Sequence, residues 1–367
     1  MVDNMRGMPV DGEGPRLLAN DSASEVDNAS FLAPRATGFE ITKQNTYVNT
    51  SGETYIYMAI RGPMMKEPES ATEVYQAFET TNSHSAGVYG TLTKPDMFLS
   101  KRTDSSATWR ILERLRGGSM LRTDSTDEES GDGFLEWDKQ EGVQITTTGA
   151  PYLSNDLQAH WLFKRAKGYF DVVAYTGTGS AQTVAHSLGV EPELIFTKGR
   201  SGTANWYTYS KPTGVGKFLI LSSGLYALSS TTMWNNTLPT STEFSIAAAN
   251  NNSGQTYISY LFATLAGISK VGSYTGNGSS QTIDCGFTSG ARFILIKRTD
   301  ASGDWYFWDS VRGIVAGNDP HLALNSAAAE VTTDDSVDPA SSGFIVNQVS
   351  ATNINVSASE YIFYAIA

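Results

Sequence analysis

The chain has 367 residues, 40% of them hydrophobic and only 17% charged, with 34 Gly and a net charge of −12. This is the composition of a globular protein of two or three domains, and its acidity excludes a broad phosphate-gripping face for nucleic acid. The single cysteine, Cys285, excludes an internal disulfide framework and a cysteine zinc site; no apolar run nears the roughly 20 residues of a membrane helix, and the first residues show no secretory leader, so no membrane insertion is expected.

Taken in chain order, residues 1–61 read as the C-terminal half of a repeated unit. Asp3-Asn4-Met5-Arg6-Gly7 matches Asp309-Ser310-Val311-Arg312-Gly313, and Gly38-Phe39 matches Gly343-Phe344. Tyr55-Ile56-Tyr57-Met58-Ala59-Ile60 matches Tyr361-Ile362-Phe363-Tyr364-Ala365-Ile366. A half sandwich leaves sheet edges unpaired. Either a neighbouring subunit completes it or the natural chain extends upstream of Met1, and we expect the second.

A polar, Pro-containing linker then covers 62–84, with a short helix expected from Glu69 to Phe78, capped by Ser70 with Glu73 three residues on. Residues 85–165 read as a diverged unit, in which Met97 to Asp104 resembles Phe293 to Asp300 and Trp109 follows as Trp305 does. Residues 168–265 and 268–367 are two clear copies. Tyr175-Thr176-Gly177 returns as Tyr274-Thr275-Gly276, Leu194 to Lys198 as Phe293 to Lys297, and Trp206 as Trp305, each 99 positions on. The joins are too short to act as flexible linkers, so a stiff string of domains is expected.

Strand signals dominate: runs of 4–8 residues rich in Val, Ile, Phe, Tyr and Thr, bounded by Gly, Asn and Ser. Phe293-Ile294-Leu295-Ile296 is a continuous apolar run, the mark of a central strand buried on both faces. The expected fold is all-β: tandem β-sandwich, jelly-roll-like repeats of about 90–100 residues.

Few residues carry chemistry. The Tyr-Thr-Gly-X-Gly-Ser segments lack the helix and Lys of a phosphate cradle, and read as tight turns. There is no Gly-X-Ser-X-Gly elbow, and His84, His160, His186 and His321 show no ligand spacing. Asp3, Glu113 and Asp309 are the acids a glycosidase would use. They recur at one repeat position, however, beside Arg6, Arg116 and Arg312, where a turn or an ion pair explains them better. The acidic stretches Asp124, Asp127, Glu128, Glu129, Asp132 and Asp334, Asp335, Asp338 lack the alternating order of a calcium loop. No metal or cofactor is expected. Trp109, Trp206 and Trp305 share a repeat position and belong to packing. Trp137, Trp161, Trp234 and Trp308 are unshared, and are the candidates for a binding surface that stacks on sugar rings.

The repeat landmarks also carry a resemblance. The run from Tyr274-Thr275-Gly276-Asn277-Gly278, through Phe293 to Arg298, Asp304-Trp305 and Trp308 to Gly313, to Ser342-Gly343-Phe344 and Tyr361-Ile362, resembles a family of repeated β-domains in tail-associated, fibre-like proteins of marine bacteriophages. The third unit departs from it, with Ser210-Lys211-Pro212 in place of the Asp-X-X-Arg-Gly stretch. The resemblance implies a non-enzymatic virion protein located in the phage tail. Its first reading is a tail fibre or receptor-binding component that attaches to a host surface glycan or protein. The alternatives are a structural tail or capsid decoration protein binding other virion proteins, and a polysaccharide-degrading spike. A homo-oligomer, a trimer by likeness, is implied as well.

Overall fold

The computed structural model describes residues 1–3, 8–9, 14–26, 31–35, 38–43, 48–60, 65–80, 87–131, 135–137, 139–146 and 156–367. The fold is all-β, of the β-sandwich class. Near the N-terminus, β1 (Leu32–Arg35) and β2 (Gly38–Ile41) form a hairpin. Unit A contains β3 (Tyr75–Thr80), β4 (Gly87–Thr93), β5 (Met97–Arg102), β6 (Arg110–Glu113), β7 (Ser119–Met120), β8 (Ser130–Gly131), β9 (Leu135–Glu136), β10 (Glu141–Ile145) and β11 (Gln158–Phe163). Unit B contains β12 (Phe170–Thr176), β13 (Gln182–Ala185), β14 (Leu194–Gly199), β15 (Trp206–Ser210), β16 (Lys217–Ile220), β17 (Leu228–Ser229), β18 (Glu243–Ile246) and β19 (Thr256–Phe262). Unit C contains β20 (Ser269–Thr275), β21 (Gln281–Asp284), β22 (Phe293–Arg298), β23 (Trp305–Asp309), β24 (Leu322–Ala323), β25 (Val337–Ala340), β26 (Gly343–Val346) and β27 (Glu360–Ile366).

Each unit nests its strands in the same way. The last strand lies between the first and third: β11 between β3 and β5, β19 between β12 and β14, β27 between β20 and β22. The second strand pairs with the one before last in the opposing sheet: β4 with β10, β13 with β18, β21 with β26. This antiparallel wrapping is jelly-roll-like. The Tyr-Thr-Gly-X-Gly-Ser turns follow the first strand. A Cβ at Gly276 would stand 2.2 Å from the carbonyl oxygen of Val356, and one at Gly177 equally close to that of Asn252. Only glycine fits so near a backbone. The motif's glutamine is fixed by an asparagine that the repeat pattern does not advertise. Gln182 Nε2 donates to Asn251 Oδ1 and Gln281 Nε2 to Asn355 Oδ1, each at 2.7 Å.

Two departures from the sequence reading occur before residue 85. Ser70 does cap a turn, accepting from the Thr72 amide at 3.2 Å, but the turn is a single 3-10 turn, Ala71–Glu73. Residues 75–80 then form β3, the first strand of unit A, instead of a linker helix. Tyr75, Ala77 and Glu79 pair with Phe163, Trp161 and Ala159, and an alternating strand that closes a sheet edge outweighs the modest local helix propensity.

The third departure is larger: the units form a closed cycle, not a string. In β22, Ile294 and Ile296 face the unit's own sandwich, whereas Phe293 and Leu295 join an apolar core shared by all three units. The same shared core takes Met97 and Leu99 from unit A and Leu194 and Phe196 from unit B. Three equivalent contacts close the cycle. The Trp109 indole N–H of unit A donates to Ala323 O of unit C at 2.9 Å, Trp206 of B to Arg122 O of A at 2.8 Å, and Trp305 of C to Ile220 O of B at 3.0 Å. Backbone bonds repeat the pattern: Ala107 N to Ala327 O, Ala204 N to Thr126 O and Gly303 N to Gly224 O, all at 2.9 Å. One chain therefore builds an approximately threefold ring, with its largest core on the axis. The continuous apolar runs of the third strands are explained by this: each is buried on both faces.

Candidate functional site

The seams of the ring hold most of the buried charge. Lys101, Lys198 and Lys297 occupy one repeat position at the inner end of the third strand. Each Nζ donates to one carbonyl of its own unit and one of the next: Lys101 to Ala107 and Ala327, Lys198 to Gly199 and Thr126, Lys297 to Gly303 and Gly224. Burial pushes all three down to about 8. An amine that donates to two carbonyls keeps both bonds when neutral, so these groups serve as pegs between units. The sequence signal is a Lys that ends an apolar strand three times over.

Glu113 and Asp309 are consumed in the same seams. The Arg116 guanidinium forks onto Glu113, and Tyr260 of unit B donates its hydroxyl to Glu113 Oε2 at 2.8 Å. Glu129 bridges Arg116 and Arg200, the second at 2.8 Å. Burial pushes the Glu129 carboxyl up, but the Arg200 hydrogen bonds and the two guanidinium charges outweigh it and hold it below its ordinary value. In unit C, Arg312 binds Asp309 at 2.6 Å and Glu330, while the Trp161 indole of unit A donates to Asp309 Oδ2 at 2.9 Å. Neither acid is open to a substrate: Glu113 and Asp309 are 0% and 1% exposed. Asp3 belongs to the N-terminal segment, and Arg6 beside it lies outside the described residues.

The four unshared tryptophans do not form a surface. Trp137, Trp161, Trp234 and Trp308 are all between 0% and 4% exposed. Trp137 and Trp234 fill the sandwich interiors of units A and B and donate to Gly117 O and Lys217 O; Trp308 packs inside unit C. Trp161 sits in the seam just described. Trp137, Trp234 and Trp308 are unshared because each sandwich fills its volume differently, not because they are presented to solvent.

The acidic stretches are tied up as well. Asp124 caps the Trp109 amide at 3.2 Å, Asp127 pairs with Arg122, and Glu128 accepts the Gly202 amide. Asp335 and Asp338 share Asn347 Nδ2, and Asp334 accepts from Ser336 Oγ. Asp132 lies outside the described residues, as does His84. His160, His186 and His321 are buried in three separate units. Among the described residues no group of three or more His, Cys, Asp or Glu is placed to hold a metal ion. Cys285 packs in the core of unit C, where burial pushes its thiol up to about 12.

A groove of about 440 Å³ lies in unit C, between the edge strands β20 and β21 of its two sheets. Lys270, Tyr274, Thr275, Thr282 and Asp284 line it, over Phe363. The corresponding place in unit B carries an extra tie across it. Asp171, which stands where unit C has Lys270, accepts the Ser187 amide at 2.7 Å and Arg165 at 2.6 Å, tying β12 to the loop after β13. In unit C, Lys270 cannot accept such bonds, and the cleft presents a cation, an anion, hydroxyls and an aromatic floor.

Residues 163–367 match a family described as a domain of unknown function, DUF7483. The chain belongs to this family. No curated protein matches the chain. The DUF7483 match starts at the last residue of β11 and spans units B and C together, so it contains the groove, the Lys198 and Lys297 pegs and the Trp305 contact between the two units.

Proposed function

We propose that the chain is a non-catalytic bacteriophage virion component, a tail fibre or receptor-binding part, which attaches to an extended, hydroxyl-rich polymer of the host surface. The observation that carries this reading is the β20–β21 groove. It is open and polar-walled, with charge of both signs and an aromatic base, the chemistry that suits a sugar chain. The likeness of the repeats to tail-associated domains supports the setting. The burial of Glu113 and Asp309 in arginine pairs weighs against the polysaccharide-degrading reading. One such groove binds weakly, and display of many copies on a virion multiplies the strength.

A glycan array and a host-cell binding assay on the full chain test it. Binding at micromolar concentration is expected. Thr282→Trp, at an exposed position that lines the groove, should weaken it at least about tenfold without shifting thermal unfolding. Absence of binding to host cells and envelope glycans, or indifference to that substitution, rejects the proposal. A homotrimer of such rings is part of the same proposal and is read from solution mass.

The alternative, a structural subunit that binds other virion proteins, is favoured by the exposed apolar run Ile56, Met58 and Ile60.

A further inference from the structure

The sequence contains two Asp–Pro bonds, Asp319–Pro320 and Asp338–Pro339, both in unit C. Such a bond carries its own attacking group. The carboxyl can close a cyclic anhydride with the carbonyl beside it, and the proline nitrogen, part of a tertiary amide, is the leaving group. What separates the two bonds is how the fold holds each acid.

Asp338 lies on β25, half-buried, and its Oδ2 accepts from Asn347 Nδ2 at 2.7 Å. Asp319 stands just before β24 and is fully buried. Its Oδ1 accepts the Ser336 and Val337 amides at 2.8 and 3.3 Å, which fixes the carboxyl. Its Oδ2 is buried with no hydrogen-bond partner. Burial pushes this carboxyl up to about 7 against the two amide bonds, and the nearby Asp334 and Asp335 add to the rise. With Oδ1 taken by two N–H donors, the proton of the neutral form sits on Oδ2.

His321 follows Pro320 and is buried, its ring edge-on to Tyr306 at 5.4 Å and against Trp308 at 5.5 Å. Its Nδ1 stands 3.5 Å from Asp334 Oδ1. Burial lowers its proton affinity. Asp334 opposes this, Arg312 adds to it, and the Asp319 carbonyl, as an acceptor for the ring, opposes it. The imidazole thus lies against the carbonyl of the Asp319–Pro320 bond. In the N-terminal segment Gly14-Pro15-Arg16 stands where unit C has Asp319-Pro320-His321, and the bridge Arg16↔Val26 still repeats His321↔Val331. The turn itself therefore requires neither the acid nor the imidazole.

We propose that the chain cuts its own Asp319–Pro320 bond, with the Asp319 carboxyl as nucleophile and water as co-reactant. Oδ2 bonds to the Asp319 carbonyl carbon, and its proton passes to the Pro320 nitrogen as the C–N bond breaks. The products are a cyclic anhydride at Asp319 and the free amine of Pro320. Water then opens the anhydride and leaves Asp319 as a C-terminal residue with two carboxyls; nothing is oxidised or reduced. The His321 N–H polarises the carbonyl under attack. Pieces 1–319 and 320–367 stay assembled, because β27 lies between β20 and β22, and β26 beside β21. Each molecule is cut once. This inference goes beyond the host-binding reading and does not depend on it.

The test holds the full chain at about pH 6 and follows its mass under denaturing conditions. Fragments 1–319 and 320–367 are expected, at a rate independent of protein concentration, and hydroxylamine should capture the anhydride as a hydroxamate on Asp319. Cutting at Asp319–Pro320 should exceed that at Asp338–Pro339 at least about tenfold in the folded chain, and the two should converge in urea. It should slow at least about tenfold from about pH 6 to about pH 9, as the carboxyl loses its proton. Asp319→Asn should abolish it. Because that change also touches the Ser336 and Val337 amides, His321→Gln, which keeps the acid, is the second variant and should slow cutting at least about tenfold, with thermal unfolding read on both. Overturning results are an uncut folded chain, equal cutting at the two Asp–Pro bonds, or cutting that survives Asp319→Asn or His321→Gln unslowed.

Discussion

The three seams of the ring share a backbone plan but differ in chemistry. At two of them, an aromatic on a central strand donates to a buried acid of the next unit: Tyr260 to Glu113, and Trp161 to Asp309. Each acid is held by an arginine three residues on. At the third, Ser210 stands where the acid would be and Tyr364 where the donor would be. The two line a small enclosed space of about 10 Å³ with Leu194 and Trp305. The seam without the ion pair still closes, through Trp305 to Ile220 O and Lys297 to Gly224 O. Apolar burial, backbone pairing and side-chain bonds to carbonyls are therefore enough to join two units without an ion pair. The buried charges set which side chains can face each other, at a desolvation cost that their mutual bonds offset.

The largest effect should come from breaking one charged seam on one side only. Arg116→Ala leaves Glu113 buried and unpaired, and should cost about 3–5 kcal/mol in chemical denaturation. Replacing both partners, with Glu113→Leu and Arg116→Met together, should recover most of that loss. If the double variant is as unstable as the single one, the pair does more for stability than the bare third seam suggests.

A smaller effect isolates the donor. Tyr260→Phe removes a hydroxyl that bonds a carboxylate at 2.8 Å, and should cost about 1.5–3 kcal/mol, the range for a hydrogen bond to a charged group. Thermal unfolding against the unaltered chain reads it directly.

How much of this was legible beforehand varies by scale. The repeat was visible in the constant spacing of Trp206 and Trp305, and the half unit in the match of residues 55–60 to 361–366. The ring was not read, although Phe293-Ile294-Leu295-Ile296 already implied burial on both faces. The second face was credited to the sandwich, whose own opposing sheet can cover only one. The tryptophans misled for a related reason: lack of repetition was read as exposure, yet Trp137, Trp234 and Trp308 fill sandwich volumes that differ from unit to unit. The β20–β21 groove had no sequence signal beyond Lys270 in place of Asp171, and a charge reversal at an edge strand says nothing until the bond it removes is seen.

The smallest effect is the sharpest comparison. Tyr364 sits at the strand position of Tyr260, in the same register against the third strand of its unit. Its hydroxyl meets no carboxylate, because unit B supplies Ser210, and burial pushes its ionisation well above the ordinary tyrosine range. Removing a buried hydroxyl that bonds no charged group forfeits little and relieves its desolvation. Tyr364→Phe should thus change stability by less than about 0.5 kcal/mol, or raise it slightly, while Tyr260→Phe loses several times as much. Equal losses from the two substitutions would mean that the hydroxyl's worth lies in filling the seam and not in its bond to Glu113, and the chemical difference between the seams would then carry no energetic weight.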